Sequence, residues 1–267
     1  NTVAIKPYNI DIFLEHIANN YSSFDIPFIL GRDIYNNDLF YGLEKCPHLL
    51  VSGTTGSGKS VFLNNLILSA VFSEKCSLVL IDVKRVEFSP YKDNKCLIYP
   101  VATDIKTACL TLNALLEKVE ARYKLLESVG ARNIKEYNKK TGEKLDYIVC
   151  VIDELADIVL QSKQFEKTLI RIAQISRACG VHLVCATQRP SSEIISGLIR
   201  ANFPSRICFR VQSASNSRII LDRNGGELLR GYGDGLFLAS GFNDLIRFQA
   251  PIISDTDFDE LMNMLRR

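Results

Sequence analysis

The chain has 267 residues, 47% of them hydrophobic, which suits one large domain or one domain with an appendage. Its formal net charge of +2 is too small to indicate any particular partner, so only the distribution of charge along the chain can do so. The eight cysteines form no C-x-x-C pair and no histidine lies at metal-ligand spacing, which argues against disulfides and a metal centre and predicts the reduced core cysteines of a cytosolic protein.

Residues 1–30 mix short apolar pieces with turn residues and lack the pattern of a signal peptide. We interpret them as a leader or as the remnant of an adjacent domain, and we expect the main domain to occupy residues 31–267. No apolar stretch approaches the roughly 20 residues that a helix needs to cross a bilayer. We therefore expect no membrane segment in this chain and a cytoplasmic location, with any membrane tether in regions outside it.

Strand and helix patterns then alternate along the chain. Helical spacing predicts helices over 61–72 and 103–129, and further helical sequence follows 147–154 up to residue 178. Short apolar runs predict strands at HLLVS, CSLVLIDV, YIVCVIDE, VHLVCATQ and SRICFRV. Because these runs lack polar alternation, we expect an α/β fold with a mainly parallel central sheet flanked by helices. Such folds bind ligands beyond the carboxyl ends of their strands.

A glycine-rich segment between the first of these strands and the first helix matches G-x-x-x-x-G-K-[ST] at every fixed position. Its glycines let successive backbone N–H groups turn around an anion, and the helix adds its positive N-terminal end. The lysine can reach the β- and γ-phosphates, and the serine hydroxyl can bind Mg²⁺. A glycine-rich surface turn is the alternative, but the flanking strand and helix favour a nucleoside triphosphate site. The predicted nucleotide-binding residues are Gly53, Thr54, Thr55, Gly56, Ser57, Gly58, Lys59 and Ser60.

Two acids follow the buried run YIVCVI, and an amide follows the next predicted strand. Asp153 is suited to hold the shell of a Mg²⁺ ion together with Ser60. Glu154 can take a proton from an attacking water, or it can merely cap the following helix. Gln188 can contact the γ-phosphate or the water, or it can be an ordinary turn residue. In their catalytic roles, these three residues are typical of an ATP-hydrolysing site.

An acid beside the metal-holding aspartate, followed by a strand with a polar tip, is typical of the RecA-like branch of P-loop NTPases. Members of that branch generally use ATP and commonly work as rings. The sequence lacks the N-K-x-D signature of a GTPase and the arginine-rich lid of a small-molecule kinase. We therefore expect ATP hydrolysis coupled to movement.

Positive charge is concentrated in residues 171–230, which contain nine arginines, no lysine and three acids. A planar guanidinium binds phosphate oxygens in pairs, so the cluster favours phosphate contacts, either to a neighbouring subunit's ATP or to a nucleic-acid backbone. A solvated face or salt bridges between subunits are the alternatives. No aromatic-rich surface accompanies the arginines, and any nucleic-acid binding should be weakly sequence-specific.

Several segments together resemble the motor domain of FtsK/SpoIIIE DNA translocases, from about residue 30 to about residue 266. They are LGRDI, PHLLVSGTTGSGKS, YIVCVIDELAD, GVHLVCATQRPSSEIISGLIRANFPSRICFRV, SRIILD and LLRGYGDGLF. The resemblance implies an ATP- and Mg²⁺-dependent pump of double-stranded DNA that works as a homohexameric ring with DNA in its channel. It also implies that residues 1–30 could be the remnant of an adjacent motor subdomain.

The resemblance also implies roles for four arginines. Arg200 in GLIRAN and Arg218 in SRIILD correspond to basic residues that face the DNA channel, although Ala214 replaces a further lysine that the family usually has. Arg122 in EARYKLLES corresponds to an arginine thought to serve a neighbouring subunit's ATP, and Arg177 in SRACG is a second candidate. An arginine finger typically contributes a rate factor of about 10³ or more.

Two alternatives remain open. One is a secretion or conjugation ATPase of the same superfamily that moves protein or protein–DNA cargo; relatives of that kind tend to depart from ATQRPS and GLIRAN, which this chain keeps. The other is a scaffold that binds nucleotide without turning it over. Chromosome segregation, plasmid transfer and packaging of mobile elements all fit the sequence as cellular roles.

Overall fold

A nine-stranded sheet organises the part of the chain that the computed structural model describes, residues 10–20 and 23–266. The strands are β1 Pro27–Arg32, β2 Asp38–Gly42, β3 His48–Ser52, β4 Cys76–Ile81, β5 Tyr147–Ile152, β6 Val181–Thr187, β7 Ser205–Phe209, β8 Asp234–Leu238 and β9 Leu245–Gln249. The helices are α1 Ile10–Asn20, α2 Lys59–Phe72, α3 Ile105–Ser128, α4 Ile134–Thr141, α5 Leu155–Val159, α6 Lys163–Ile175, α7 Gly197–Asn202, α8 Ala214–Leu221 and α9 Asp255–Arg266.

The order of the strands is β2-β1-β9-β8-β7-β3-β6-β5-β4. The five strands from β7 to β4 are all parallel, whereas the pairs β7–β8, β8–β9, β9–β1 and β1–β2 are antiparallel. Only β8 and β1 therefore run against the direction shared by the other strands of this sheet. The α/β fold with a mainly parallel sheet that the sequence predicts is confirmed, and β6 lies between β3 and β5.

Both faces of the parallel part of the sheet are buried, which explains why the parallel strands lack polar alternation. Every residue of β3, β5 and β6 is buried. Within β5, Val149 and Val151 pack into the apolar cluster that contains α2, whereas Cys150 and Ile152 pack into the cluster that contains α3 and α6. A strand between two helical layers therefore carries mostly apolar side chains on both faces.

The long helix α3 is confirmed and is slightly shorter than the predicted span of 103–129. It begins at Ile105 because Asp104 is its N-cap: the Asp104 carboxylate accepts a hydrogen bond from the backbone N–H of Thr107 at 2.8 Å. The Thr107 hydroxyl accepts in return from the Asp104 backbone N–H at 3.2 Å, which completes a capping box.

The first described helix packs against the same core as the strands. Phe13 and Ile17 of α1 are buried in one apolar cluster with Phe28 of β1 and Leu66 of α2. The domain boundary expected after residue 30 falls inside β1. The beginning of the expected leader, residues 1–9, and residues 21 and 22 lie outside the described residues.

The cysteines are unpaired thiols, and six of the eight are buried. Burial raises the pKa of the Cys150 and Cys208 thiols to about 12, so these side chains stay protonated at neutral pH. Across residues 10–20 and 23–266, we find no helix with both the length and the apolar character required to span a bilayer.

Candidate functional site

The glycine-rich turn connects the carboxyl end of β3 to the first residue of α2. Gly56 and Gly58 adopt φ angles of +75° and +104°, which glycine tolerates at no steric cost. A Cβ on Gly58 would lie 2.5 Å from the backbone N of Gly233, so no other residue fits there without displacing the neighbouring loop. A Cβ on Gly53 would lie 2.4 Å from the Ser57 Oγ. The turn is therefore fitted closely to its surroundings.

A second glycine-rich loop supports this turn from outside. The backbone N–H of Gly233 donates to the Ser57 carbonyl at 2.8 Å, and that of Tyr232 donates to the Gly56 carbonyl at 3.2 Å. Because these two carbonyls bond the second loop, the shape of the glycine-rich turn depends on residues far along the chain. The sequence analysis assigns no role to this loop, although the closely spaced glycines of GYGDG indicate a tight turn.

A buried ion pair joins the lysine of the turn to the first acid after β5. The Lys59 Nζ lies 2.7 Å from Asp153 Oδ1, and both side chains are 3% exposed. The same ammonium donates to the Asp153 carbonyl at 3.2 Å. The neighbouring Ser60 hydroxyl donates to Glu87 Oε1 at 2.6 Å. Hydroxyl and carboxylate oxygens are the ligands that Mg²⁺ prefers, so the donor set of this edge fits that ion.

Glu154 caps the helix that follows it and also contacts the tip of the neighbouring strand. It is the N-cap of α5, where its Oε1 accepts from the backbone N–H of Ala156 at 3.4 Å. It also lies at the strand tips, where it accepts from the Thr187 hydroxyl at 2.6 Å and the Gln188 backbone N–H at 3.0 Å. The Lys84 Nζ lies 3.8 Å from its Oε2. The capping contact is long, and the Glu154 side chain is buried among these groups at the strand tips.

Gln188 bridges the glycine-rich turn and Glu154. Its side-chain Oε1 accepts from the Thr55 hydroxyl at 3.2 Å, while its backbone N–H donates to the Glu154 carboxylate. Gln188 reaches both groups because of the strand order, in which β6 ends between β3 and β5. The structure thus brings the turn, Asp153, Glu154 and Gln188 together at one edge of the sheet.

A cavity of about 340 Å³ opens beside the turn. It is lined by the turn itself and the start of α2, by Glu87, Gln188 and Tyr232, and by residues 250–252. This volume is in the range of small-molecule and cofactor sites. The pocket is therefore lined by polar groups, including Lys59, Ser60 and Gln188, and by aromatic and apolar groups such as Tyr232 and Ile252.

The other two candidate catalytic residues lie at the opposite ends of the parallel strands. Arg122 is 9% exposed, and its guanidinium donates to the backbone carbonyls of Asp146 at 2.6 Å and Cys179 at 2.8 Å, just before β5 and β6 begin. Burial lowers the pKa of Arg122. Arg177 is exposed in the turn between α6 and β6. The structure does not bring either arginine to this chain's own glycine-rich turn.

The two candidate DNA-binding arginines lie on α7 and α8. Arg200 donates to Asp222 Oδ1 at 3.2 Å, and exposed Arg218 donates to Asn224 Oδ1 at 2.8 Å. Arg206 joins the two helices, because it bonds the Asp222 carboxylate and donates to the Arg200 carbonyl at 3.0 Å. Sequence reasoning counted Arg206 among the nine arginines but did not recognise this structural role.

One hydrogen bond connects this pair of helices to the strand tips. The Asn216 side chain of α8 donates to the Pro190 carbonyl at 2.9 Å, two residues after Gln188. The backbone N–H of Thr54 in the glycine-rich turn donates to the carbonyl of Arg210, which follows β7, at 2.9 Å. The arginine-bearing helices are therefore connected to the turn by two short segments.

Comparison with known proteins finds the same architecture in solved structures. A search of solved structures finds the conjugation coupling protein TcpA of pCW3, solved as a monomer with ATPγS, at a TM-score of 0.80 and 30% identity over 91% of this chain and 71% of that one. The type VII secretion ATPase EccC of Thermomonospora curvata has the same fold, with a TM-score of 0.81 and 23% identity over 90% of this chain and 31% of that one.

Curated relatives are more similar in sequence. "DNA translocase FtsK" of Campylobacter jejuni is 43% identical over 245 residues, and "DNA translocase SftA" of Bacillus subtilis is 44% identical over 246 residues. Each match includes 89% of this chain, which spans about a quarter (26%) of the length of these relatives. The family model described as FtsK/SpoIIIE matches residues 14–192. The chain belongs to the FtsK/SpoIIIE family.

Proposed function

We propose that this chain is the ATP-hydrolysing domain of a motor that moves double-stranded DNA. The observation that carries the proposal is the position of Gln188, which contacts the glycine-rich turn through Thr55 and holds Glu154 through its backbone N–H. A γ-phosphate bound at the turn and the carboxylate of Glu154 would then both lie next to Gln188. The names of the relatives, DNA translocases, support DNA as the cargo.

In this proposal the turn binds the phosphates of ATP. Its N–H groups and the N-terminal end of α2 attract the anion, and Lys59 supplies a positive charge to the β- and γ-phosphates. Ser60 and Asp153 would hold Mg²⁺, which when bound neutralises charge that develops on the phosphate oxygens during transfer. The Lys59 ammonium also pairs with Asp153, which places its charge beside one of the proposed Mg²⁺ ligands.

Glu154 is the proposed general base. Its carboxylate is 3% exposed and is fixed by the Thr187 hydroxyl and the Gln188 backbone, so it faces the edge of the sheet in one orientation. It would accept the proton of the attacking water, and Gln188 would orient that water or the γ-phosphate. General base catalysis of this kind typically contributes a rate factor of about 10² to 10⁴.

The DNA-facing surface in this proposal is the pair of helices α7 and α8. Arg200 and Arg218 would contact phosphates of the DNA backbone, and the Asn216–Pro190 hydrogen bond would connect their movement to the Gln188 segment. We further propose that the motor is a homohexameric ring in the cytoplasm. There Arg122 or Arg177, both remote from this chain's own turn, would face the nucleotide of a neighbouring subunit, which for Arg122 requires that its two carbonyl contacts open.

Steady-state ATP hydrolysis with and without long double-stranded DNA, at low and moderate salt, tests this proposal. We expect stimulation by DNA that weakens steeply with salt, because phosphate contacts release counterions. The Arg200→Ala/Arg218→Ala variant should lose the stimulation but keep its basal rate. The matched control, Arg132→Ala/Lys139→Ala, removes two exposed charges near the other ends of the strands and should stay stimulated. Basal hydrolysis that DNA does not change would contradict the DNA motor.

A second candidate is a conjugation or secretion ATPase that moves protein or protein–DNA cargo. The likeness to TcpA, a conjugation coupling protein, supports it. Hydrolysis that is indifferent to DNA but stimulated by a cargo protein would favour this second candidate.

A further inference from the structure

The Ser60 hydroxyl donates its proton to a carboxylate that the sequence did not single out. Its hydrogen bond to Glu87 Oε1 is 2.6 Å long, as expected when the acceptor is charged. Glu87 also lines the cavity beside the glycine-rich turn. The other acid at this edge, Asp153, is engaged by the Lys59 ammonium. Glu87 therefore accepts the hydrogen bond from the Ser60 hydroxyl.

The segment that carries Glu87 is held on both sides of that residue. Before it, the Asp82 carboxylate accepts from the backbone N–H groups of Lys84, Arg85 and Phe88 at 3.2, 3.0 and 3.0 Å. After it, the Phe88 side chain is fully buried. Asp82 follows β4 directly and is 1% exposed, so the segment is anchored to the sheet.

The same segment is also joined to the first turn of α2. The hydroxyl of buried Tyr91 donates to Asn64 Oδ1 at 2.9 Å, and the Asn64 amide donates to the Ser60 carbonyl at 3.1 Å. Glu87 and Ser60 are thus fixed to each other by their own hydrogen bond and by a second connection through Tyr91 and Asn64. An arrangement of this rigidity is what orients a metal ligand.

We propose that Glu87 is a positioning residue for the metal-binding serine. This role rests on the nucleotide site proposed above. A hydroxyl has one proton and two lone pairs, so donation of the proton to Glu87 leaves the lone pairs of Ser60 Oγ for Mg²⁺. The negative charge of Glu87 also makes the hydroxyl oxygen a stronger donor to the ion. Partners of this kind typically change metal affinity by about 10- to 100-fold.

Binding of a fluorescent, non-hydrolysable ATP analogue tests this role without turnover. The analogue is titrated in EDTA and then, at fixed concentration, with Mg²⁺. We expect Glu87→Ala to raise the Mg²⁺ concentration at half-saturation about tenfold, within the range for such partners. In EDTA its affinity should be unchanged or higher, because a carboxylate near the phosphates is removed. Glu87→Gln keeps a neutral acceptor for the Ser60 proton and should show a smaller rise.

The Ser60→Ala variant shows whether Glu87 acts by positioning Ser60 or by its charge near the metal ion. If Glu87 acts through the serine, Glu87→Ala should have no further effect on the Mg²⁺ titration in the Ser60→Ala background. Glu120→Gln, on the exposed face of α3, is the matched control and should behave as wild type. Unfolding temperatures of the variants without nucleotide verify that each one folds.

Three results would overturn the role of Glu87. They are a Mg²⁺ titration that Glu87→Ala leaves unchanged, an equal loss of affinity in EDTA and in Mg²⁺, or full additivity with Ser60→Ala. A wild-type chain that binds the analogue in neither condition would instead overturn the proposed nucleotide site, and with it the role of Glu87. If Mg²⁺ strengthens binding of the analogue to the wild type, the nucleotide site is supported, and the Glu87 variants then test the positioning role separately.

Discussion

Single residues at the carboxyl edge of the sheet are held by partners that are distant in sequence. Lys59 pairs with Asp153, Ser60 with Glu87, and Thr55 with Gln188. Each pair joins the glycine-rich turn to the segment that follows a different strand, respectively β5, β4 and β6. A phosphate at the turn would therefore be in contact with groups supported by three neighbouring strands. The geometric basis on which we infer hydrolysis and not binding alone is Gln188, which contacts the turn and also holds the Glu154 carboxylate.

Gly56 and Gly58 offer a prediction at the scale of one residue. Both adopt positive φ angles, but a Cβ on Gly56 would meet nothing within 4 Å, whereas one on Gly58 would lie 2.5 Å from the Gly233 backbone N. Gly56→Ala should cost about 1–2 kcal/mol of unfolding free energy, from backbone strain alone. Gly58→Ala should cost clearly more, because its methyl group must also displace the supporting loop. Urea denaturation of the nucleotide-free proteins measures both.

The two variants control for each other, since each adds one methyl group to the same turn at positive φ. Equal losses of stability would contradict the close packing of residues 231–233 against the turn. A smaller loss for Gly58→Ala than for Gly56→Ala would contradict it more strongly.

At the scale of elements, the strands β3 and β6 begin with a pair of buried histidines. Leu183 N–H donates to His48 Nδ1 at 3.2 Å, so His48 carries no proton on that nitrogen, and His182 Nδ1 lies 3.0 Å from the Pro47 carbonyl, to which it donates. Burial lowers the pKa of His48 to about 3, with the neighbouring His182 adding to the shift. Burial also lowers the pKa of His182 to about 4. Both rings are neutral in the folded protein.

These histidines predict a loss of stability in acid. The unfolded chain binds their protons near pH 6.5 but the folded chain does not until pH 3–4, so stability is full above about pH 6.5 and falls as the pH drops below it. At pH 5 each histidine should contribute roughly 2 kcal/mol of this loss, from about 1.36 kcal/mol per pH unit. Urea denaturation at pH 7.5 and pH 5 measures it.

His48→Asn/His182→Asn is the control for this pH dependence. Asparagine places an amide group near the position of Nδ1, so both backbone hydrogen bonds can form without a titrating ring. The variant should have lower stability at neutral pH, because ring volume is lost, but a flatter dependence on pH between 5 and 7.5. A dependence as steep as that of the wild type would assign the acid sensitivity to other groups.

Local patterns were sufficient to predict the elements of the parallel half of the sheet. The apolar runs at β3, β4, β5, β6 and β7 are recognisable because a strand that is buried on both faces is apolar along most of its length. The antiparallel strands were not predicted: β1 and β2 lie around the expected domain boundary, and β8 and β9 are short and only partly buried. Their register depends on pairing with each other, which no local pattern encodes.

The candidate site was predictable only where its residues adjoin a motif. The acids after β5 and the amide after β6 are positioned by strand order, which follows from the fold class. Glu87 was missed because its contact with Ser60 spans 27 positions of sequence and depends on the Asp82 turn. The two carbonyl partners of Arg122 could not be anticipated either, since they precede two different strands. Contacts of this kind arise from tertiary packing.

At the scale of the whole molecule, the sheet separates two sets of charged groups. The glycine-rich turn and the proposed catalytic residues lie at the carboxyl ends of the parallel strands, and Arg122 and Arg177 lie at the amino ends. In a ring, one subunit's amino-end arginines could face the next subunit's nucleotide only if neighbours pack carboxyl edge to amino edge. The helices α7 and α8, which are connected to the Gln188 segment, would then transmit the state of the nucleotide to DNA.

Displacement of a third strand from a triplex on long double-stranded DNA tests this account most directly, because it reports movement along DNA. With ATP and Mg²⁺, the wild-type chain should displace the strand. Glu154→Gln, which removes the proposed base but keeps an acceptor for Thr187, should bind nucleotide and displace nothing. Displacement that requires ATP and Glu154 would support the DNA motor. ATP hydrolysis by the wild type without any displacement, at a rate that DNA does not change, would contradict it.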